Sequence, residues 1–189
     1  MEGLLTYFSS KGISDAELAR ITDGFSQKKM QKGDLFVQEG STSKYLAFIT
    51  KGLFQYFYIK EGQEITTYVT GANSFLLSLS SFFKQQPSKE NIRALGDAEI
   101  WQIHYKELSV LKKESEAFKN FYIAALENLV IAMDETRSNL ITLTAEERYA
   151  VLMQNEPVLL QQIPLQYLAS ILGVTPRHLS RIRNSFSGS

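Results

Sequence analysis

Residues 116–140 contain neither glycine nor proline. Within that run Tyr122, Leu126, Leu129, Met133, Thr136 and Leu140 recur in alternating steps of four and three. That period is a heptad seam, and it calls for one continuous helix with a partner along its length. A second apolar line, Phe118, Phe121, Ala125 and Ala132, runs beside the first. A helix that is apolar on two faces has to pack against two bodies. One body is expected to be the chain's own core. The other is expected to be a second copy of the same helix, which makes the chain a homodimer.

The sequence before this run has a different texture. Residues 4–22 are predicted helical, with Leu4, Leu5, Phe8, Leu18 and Ile21 as the apolar positions, and Ser14 with Glu17 has the form of a capping box. From Phe25 to Ile103 short aromatic and β-branched runs are punctuated by Gly33, Gly40, Gly52, Gly62, Gly71 and Gly96. Strands are predicted at 45–49, 53–59 and 64–69, with Glu61-Gly62 as a tight hairpin between the last two. A further strand pair is predicted at 92–95 and 99–103, turning at Gly96-Asp97. Short strands at this spacing imply a sandwich or barrel.

After the long helix, Thr142 to Thr144 reads as a hinge, and Thr144 with Glu147 as a second capping box. Pro157 and Pro164 bracket a short segment, 158–163, that is brief for a β-wing. Two helical stretches follow. Leu165, Leu168, Ala169 and Leu172 share one helical face, and Gly173 stands where the chain must turn. Ala169 is small enough for a second helix to approach closely. Thr175 is placed to cap that helix and Pro176 to occupy its first position. Leu179, Ile182 and Phe186 form its buried side.

Arg177, Ser180, Arg181 and Asn184 project away from that apolar line, with His178 and Arg183 to the sides. Two guanidiniums, a hydroxyl and an amide on an exposed helix suit the major groove of DNA. Arginine bonds guanine bidentately, Asn pairs with adenine and Ser reaches either base or phosphate. His178 and Arg183 are better placed for phosphate. Together with the capping Thr175 these residues make a helix-turn-helix for double-stranded DNA, with a near-palindromic operator expected for a dimer.

Composition narrows the alternatives. There is no cysteine and there are two histidines, His104 and His178. Disulfides, iron–sulfur clusters and three-histidine metal sites are excluded, and a β-barrel metalloenzyme would have His104 alone in the β region. No enzyme, metal or cofactor is expected. Net charge is zero, but the last 33 residues carry three Arg and no acid. Neutrality is thus a sum over unlike parts. The N-terminus lacks a signal-peptide pattern and no apolar run reaches 18 residues, so a cytoplasmic chain outside the membrane is expected.

This order of parts resembles the Crp/Fnr family of bacterial transcription regulators. The most specific stretch is Leu168-Ala169-Ser170-Ile171-Leu172-Gly173-Val174-Thr175 with Leu179-Ser180-Arg181-Ile182. Lys32-Gly33-Asp34, Gln38-Glu39-Gly40, 45–49 and Lys51-Gly52 look like the opening of a cyclic nucleotide-binding roll. The resemblance implies an α+β chain. Its parts would be a sensor jelly roll (double-stranded β-helix) with flanking helices over 1–115, a dimerisation helix over 116–140 and a helix-turn-helix domain over 141–189.

One element departs from the family. Its cyclic AMP-binding members carry a phosphate cassette, Phe-x-Gly-Glu-Leu and then Arg-Ser-Ala. The matching stretch here is Phe75-Leu76-Leu77-Ser78-Leu79, so Leu77 replaces the Gly and Ser78 the Glu. Ser88-Lys89-Glu90 stands where Arg-Ser-Ala would be, and Arg93 lies on a strand outside the cassette. A buried phosphate without a cation is expensive. The roll is therefore expected not to bind cyclic AMP in the usual way, and Leu77, Ser78, Ser88 and Lys89 mark a degenerate site open to an unknown effector. Tyr56, Tyr58, Tyr68 and Trp101 either line a pocket or pack between strands. The rival to a DNA-binding regulator is a ligand-binding or interaction module whose helix-turn-helix is only structural.

Overall fold

The computed structural model describes residues 1–187, with side chains through 186. The last two residues of the expected 141–189 domain lie outside the described residues. Helices α1 (Glu2–Ser10) and α2 (Asp15–Asp23) open the chain. The strands are β1 (Ser26–Met30), β2 (Leu35–Val37), β3 (Tyr45–Lys51), β4 (Phe54–Lys60), β5 (Gln63–Thr70), β6 (Phe75–Leu76), β7 (Asn91–Ala94) and β8 (Ala98–His104), with helix α3 (Leu79–Lys84) between β6 and β7. They form two four-stranded antiparallel sheets, β1-β8-β3-β6 and β2-β7-β4-β5, which face each other as a jelly roll. Helices α4 (Tyr105–Glu114) and α5 (Glu116–Thr142) follow. The chain then continues through α6 (Ala145–Asn155), α7 (Pro157–Gln162), α8 (Leu165–Ile171) and α9 (Pro176–Ser187).

Strand β3 explains why its sequence reads as an unbroken apolar run. Ala47 and Ile49 face the interior between the sheets, with Phe54, Leu76, Ile92 and Ile100. Leu46 and Phe48 face the other way, into a second core with Leu4, Phe8, Ile21, Phe25, Phe82, Ile103 and Phe118. The first sheet is thus sandwiched between the second sheet and the helices α1, α2, α4 and the start of α5. A strand buried on both faces loses the polar alternation that marks a half-exposed one.

The β4–β5 hairpin turns where the sequence places it. Glu61 (φ 53°) and Gly62 (φ 76°) are both left-handed, as a type I′ turn requires. The turn at Gly96-Asp97 is different. β7 and β8 both exist, but β7 pairs with β2 and β4 while β8 pairs with β1 and β3. The turn therefore crosses between sheets and does not close a hairpin. Gly52 fills a tight corner beside it. Its φ is +100°, and a Cβ there would stand 2.5 Å from that of Ala98.

The first capping box does not form either. Ser14 occupies the N-cap of α2 without a side-chain bond. Glu17 instead accepts a hydrogen bond from Ser115, which itself caps α5 by accepting from the Phe118 N–H at 3.1 Å. The second box is present, with Thr144 and Glu147 bonded reciprocally at 2.8 and 3.2 Å. Helix α5 runs two residues past the expected end at 140, and Leu143 and Thr144 are extended. Residues 158–163 fall mostly in α7, a single short helix opened by Pro157, and not in a strand.

Candidate functional site

The two-helix unit at the C-terminus is built on its own small core. Leu168, Ala169, Leu172, Leu179 and Ile182 are buried with Tyr149 of α6. Between α8 and α9 the Val174 N–H donates to the Ala169 carbonyl at 2.9 Å and the Gly173 N–H to the Ser170 carbonyl at 3.0 Å. With Gly173 at φ +68° this is a Schellman stop. Thr175 then caps α9 by accepting from the His178 N–H at 3.2 Å, and Pro176 is the first residue of the helix.

With Leu179 and Ile182 turned inward, Arg177, Ser180, Arg181, Arg183 and Asn184 are all exposed on α9. The structure brings the expected reading residues onto one accessible surface. Ser180 bonds back to the Pro176 carbonyl at 3.0 Å, so its hydroxyl must rotate to reach a base. His178 is not simply a lateral phosphate donor. Its Nε2 lies 3.1 Å from Glu146 of α6. Hydrogen bonds from its own backbone N–H and from His178 hold the Glu146 carboxyl below the usual carboxylate range.

Arg148 joins this unit to the long helix. Its guanidinium donates to the Leu143 carbonyl at 2.6 Å and to the Leu172 carbonyl at 2.8 Å. The end of α5 and the end of α8 are thereby tied to one planar group. The same unit rests on the outer face of the second sheet. Ser170 Oγ donates to the Thr66 carbonyl at 2.8 Å. Beneath it Gln55, fully buried, donates to Thr66 Oγ1 at 2.8 Å and accepts from Arg93 at 2.7 Å. Arg93 is also paired with both oxygens of Glu64, at 2.9 and 2.6 Å, and lies over the Phe57 ring at 4.5 Å. Glu64 first, and Tyr167 of α8 more weakly, hold the Arg93 guanidinium's pKa up.

On α5 the seam divides. Phe118 is buried and Phe121 packs on the same core, but Ala132 is exposed. Tyr122, Leu126 and Leu129 are half-buried, and Met133, Thr136 and Leu140 are exposed. Val130, Ile131 and Ile141 are exposed beside them. The chain's own core thus covers only the first part of the second apolar line.

Inside the roll, Ser78 and Ser88 are buried and stand 3.1 Å apart. Ser78 donates to the Glu90 carboxylate at 2.7 Å, and Ser88 to the Glu90 carbonyl at 2.8 Å. Burial raises the Glu90 pKa and the Ser78 bond offsets part of that rise. Lys89 is exposed on the surface and makes no ion pair with Glu90. Leu77, half-buried, donates its N–H to the Tyr56 hydroxyl at 3.4 Å. Tyr56 packs on the roll core and meets Tyr68 edge-to-face at 5.7 Å. Trp101 belongs elsewhere, on β8 of the other sheet, against the helix-side core. His104 is a helix cap, its Nδ1 accepting from the Lys106 N–H. Among the described residues no three His, Cys, Asp or Glu stand together as metal ligands, and no helix is long and apolar enough to cross a membrane.

Four of these residues had no sequence signal as parts of a site. Arg148, Tyr167 and Ser170 look like surface positions on short helices, and Glu90 looked like a defect in a cation site.

Residues 27–115 match the family model for the cyclic nucleotide-binding domain. No curated relative matches the chain by sequence. Among solved structures, a mutant CooA from Carboxydothermus hydrogenoformans aligns with a TM-score of 0.71 at 16% identity, over 98% of this chain and 84% of that one. The c-di-GMP responsive global regulator CLP of Xanthomonas campestris aligns at 0.68 and 15%, over 93% and 92%. A protein assigned to the Crp/Fnr family of transcriptional regulators, from Eubacterium rectale, aligns at 0.65 and 17%, over 96% and 88%. The chain has a Crp/Fnr-type fold. These alignments take in nearly the whole chain, so the Crp/Fnr-type arrangement extends from the roll through α5 to α9. At these identities the likeness is one of fold.

Proposed function

We propose that this protein is a cytoplasmic, homodimeric, sequence-specific DNA-binding transcription regulator of Crp/Fnr type that does not answer to cyclic AMP. The observation that carries the reading is the α9 surface. Arg177, Ser180, Arg181 and Asn184 are exposed together on a helix anchored by buried Leu179 and Ile182. Arg181 and Asn184 read base edges, Arg183 and His178 meet phosphates, and Thr175 sets the helix start. The exposed side chains of Met133, Thr136 and Leu140 support the seam from Tyr122 to Leu140 as the dimer interface. Pairing along that seam carries the two α9 helices to successive major grooves, about 34 Å apart. The Ser78–Ser88–Glu90 network supports the cyclic AMP exclusion, because it presents a carboxylate where a phosphate needs a cation.

The test is binding to genomic fragments as a function of salt. Arg181→Ala is expected to cost about 1–3 kcal/mol at cognate sites and to relax specificity there. Equal loss on random DNA would reduce Arg181 to a phosphate contact, and no binding at any salt would refute the reading. The docking of α8 on β5 through Ser170 favours one rival, an interaction module whose helix-turn-helix serves as structure. That rival predicts a stable dimer with no DNA affinity.

A further inference from the structure

The departure at the cassette reverses the sign of the site. Phe57 pairs with Asn91, the first residue of β7, and Glu90 just before it is near enough to Tyr58 for its charge to add to the burial that raises that phenol's pKa. Tyr56 is two residues back on β4, and Tyr68 is its direct partner on β5. Side chains alternate along a strand. Tyr56 and Tyr58 therefore share the inner face of the second sheet, the face that carries Ile92 into the roll core, and Tyr68 joins Tyr56 ring to ring on it; Glu90 is held beside them by Ser78, the neighbour of the Leu77 that meets the Tyr56 hydroxyl. Tyr56 packs on the roll core, while Tyr58 and Tyr68 are exposed. The Glu90 carboxylate is fixed by the single bond from Ser78, and among the described residues no Lys, Arg or His pairs with it. Burial raises the Tyr68 phenol pKa, and the charge of Glu156, the residue after α6, raises it further.

We infer that the aromatic and acidic patch formed by Tyr56, Tyr58, Tyr68 and Glu90 binds a small organic cation, an alkylammonium or quaternary ammonium compound, in place of a phosphate ester. Aromatic ring faces are negative and attract cations, most strongly where water is partly excluded. A half-buried carboxylate without a counterion is stabilised by a positive partner and repels an anion. The patch supplies both elements, and among the described residues no cation is paired with Glu90. Burial has already lifted the Glu90 pKa, as expected for a carboxylate that awaits its counterion. The inference rests on the proposed reading of the roll as the sensor of a regulator. It also supplies that reading with a route to the reader. Tyr68 belongs to the patch, while Thr66, on the other side of the β-bulge at Thr67 and so turned to the opposite face of β5, carries the hydrogen bond that seats α8. One strand thus meets the ligand on one face and the DNA-reading unit on the other.

The test is titration calorimetry of the full-length protein with choline chloride, tetramethylammonium and n-butylammonium, against the neutral choline isostere 3,3-dimethylbutan-1-ol and against cyclic AMP. At least one of the cations is expected to bind saturably. The neutral isostere should bind at least about tenfold more weakly, and cyclic AMP not measurably. Glu90→Gln and, separately, Tyr68→Ala should each weaken the cation at least about tenfold, with folding checked by circular dichroism. Three results would overturn the inference: no saturation by any of the cations up to about 10 mM, equal binding of the neutral isostere, or unchanged affinity in Glu90→Gln. DNA affinity is measured on the same preparations without cation. Loss of DNA binding with cation binding intact refutes the regulator and leaves the site. The reverse refutes the site and leaves the regulator.

Discussion

Arg93 offers the sharpest single perturbation, because two opposed roles for it make different predictions. A roll that bound cyclic phosphate would want this guanidinium as its cation. Here it lies on the outer face of the second sheet, bonded to Gln55 and to both oxygens of Glu64, and over the Phe57 ring. Arg93→Ala leaves the Gln55 carboxamide oxygen buried without its donor, at about 1–3 kcal/mol. Loss of the ring contact with buried Phe57 adds about 0.5–1 kcal/mol. The Glu64 pair is partly exposed and screened by water, and adds about 0.2–1 kcal/mol. The sum is about 2–5 kcal/mol, or a fall in Tm of about 4–20 °C for a chain of this size. The control is Glu64→Ala. It removes only the screened pair, leaves Arg93 on Gln55, and should cost less than about 1 kcal/mol. Urea and thermal denaturation at one fixed protein concentration measure both variants, since the proposed dimerisation would make Tm concentration-dependent. If Glu64→Ala costs as much as Arg93→Ala, or Arg93→Ala costs under about 0.5 kcal/mol, the buried Gln55 is not what Arg93 serves. If the wild type binds cyclic AMP and Arg93→Ala abolishes that binding, Arg93 is the phosphate partner and the outer-face assignment fails.

Other perturbations test separate parts of the structure. Met133→Glu, on an exposed turn of α5, should leave the folded chain intact and shift sedimentation from dimer to monomer; a dimer at micromolar concentration would count against the heptad seam. Glu90 has a folded pKa above its ordinary 4.5, so its contribution to stability is fully present below the unfolded pKa and is lost as pH rises through the folded one. Glu90→Gln should therefore gain on the wild type as pH rises from about 4.5 toward neutrality, and parallel stability–pH curves would contradict this. Gly52→Ala places a Cβ against Ala98 at a left-handed φ and should cost more than about 1 kcal/mol in urea unfolding.

Local chemistry was readable in the sequence where the structure keeps it local. Glu61-Gly62, the Thr144–Glu147 box and the Gly173 stop all close within a few residues, and each is found where its residues place it. Gly96-Asp97 carries the same kind of turn signal, yet the strands on either side join different sheets. A turn motif fixes a change of direction, while pairing is decided by residues far away in the chain. Ser14 and Glu17 were misread for a related reason. The carboxylate that would have closed the cap is taken by Ser115, 98 residues downstream. On α9 the exposed face followed from helical geometry, but the Glu146 partner of His178 did not, because it comes from another helix. The seat of α8 on β5 was hidden altogether. Gln55 and Thr66 are polar residues on a strand and would ordinarily face water, but here they are buried beneath a polar contact from Ser170.

The length of α5 sets a scale that would matter to the proposed DNA reader. Its 27 residues span about 40 Å at the usual helical rise. A tilt of about 5° at the roll end therefore sweeps the far end through about 3.5 Å, close to the rise of one base pair along the duplex. Arg148 grips carbonyls on both sides of the junction, so the two-helix unit has little freedom to absorb that sweep. The helix acts as a lever with a stiff wrist. If α9 reads DNA as proposed, a sub-ångström adjustment near Phe118 would be enough to move it by a fraction of a base step.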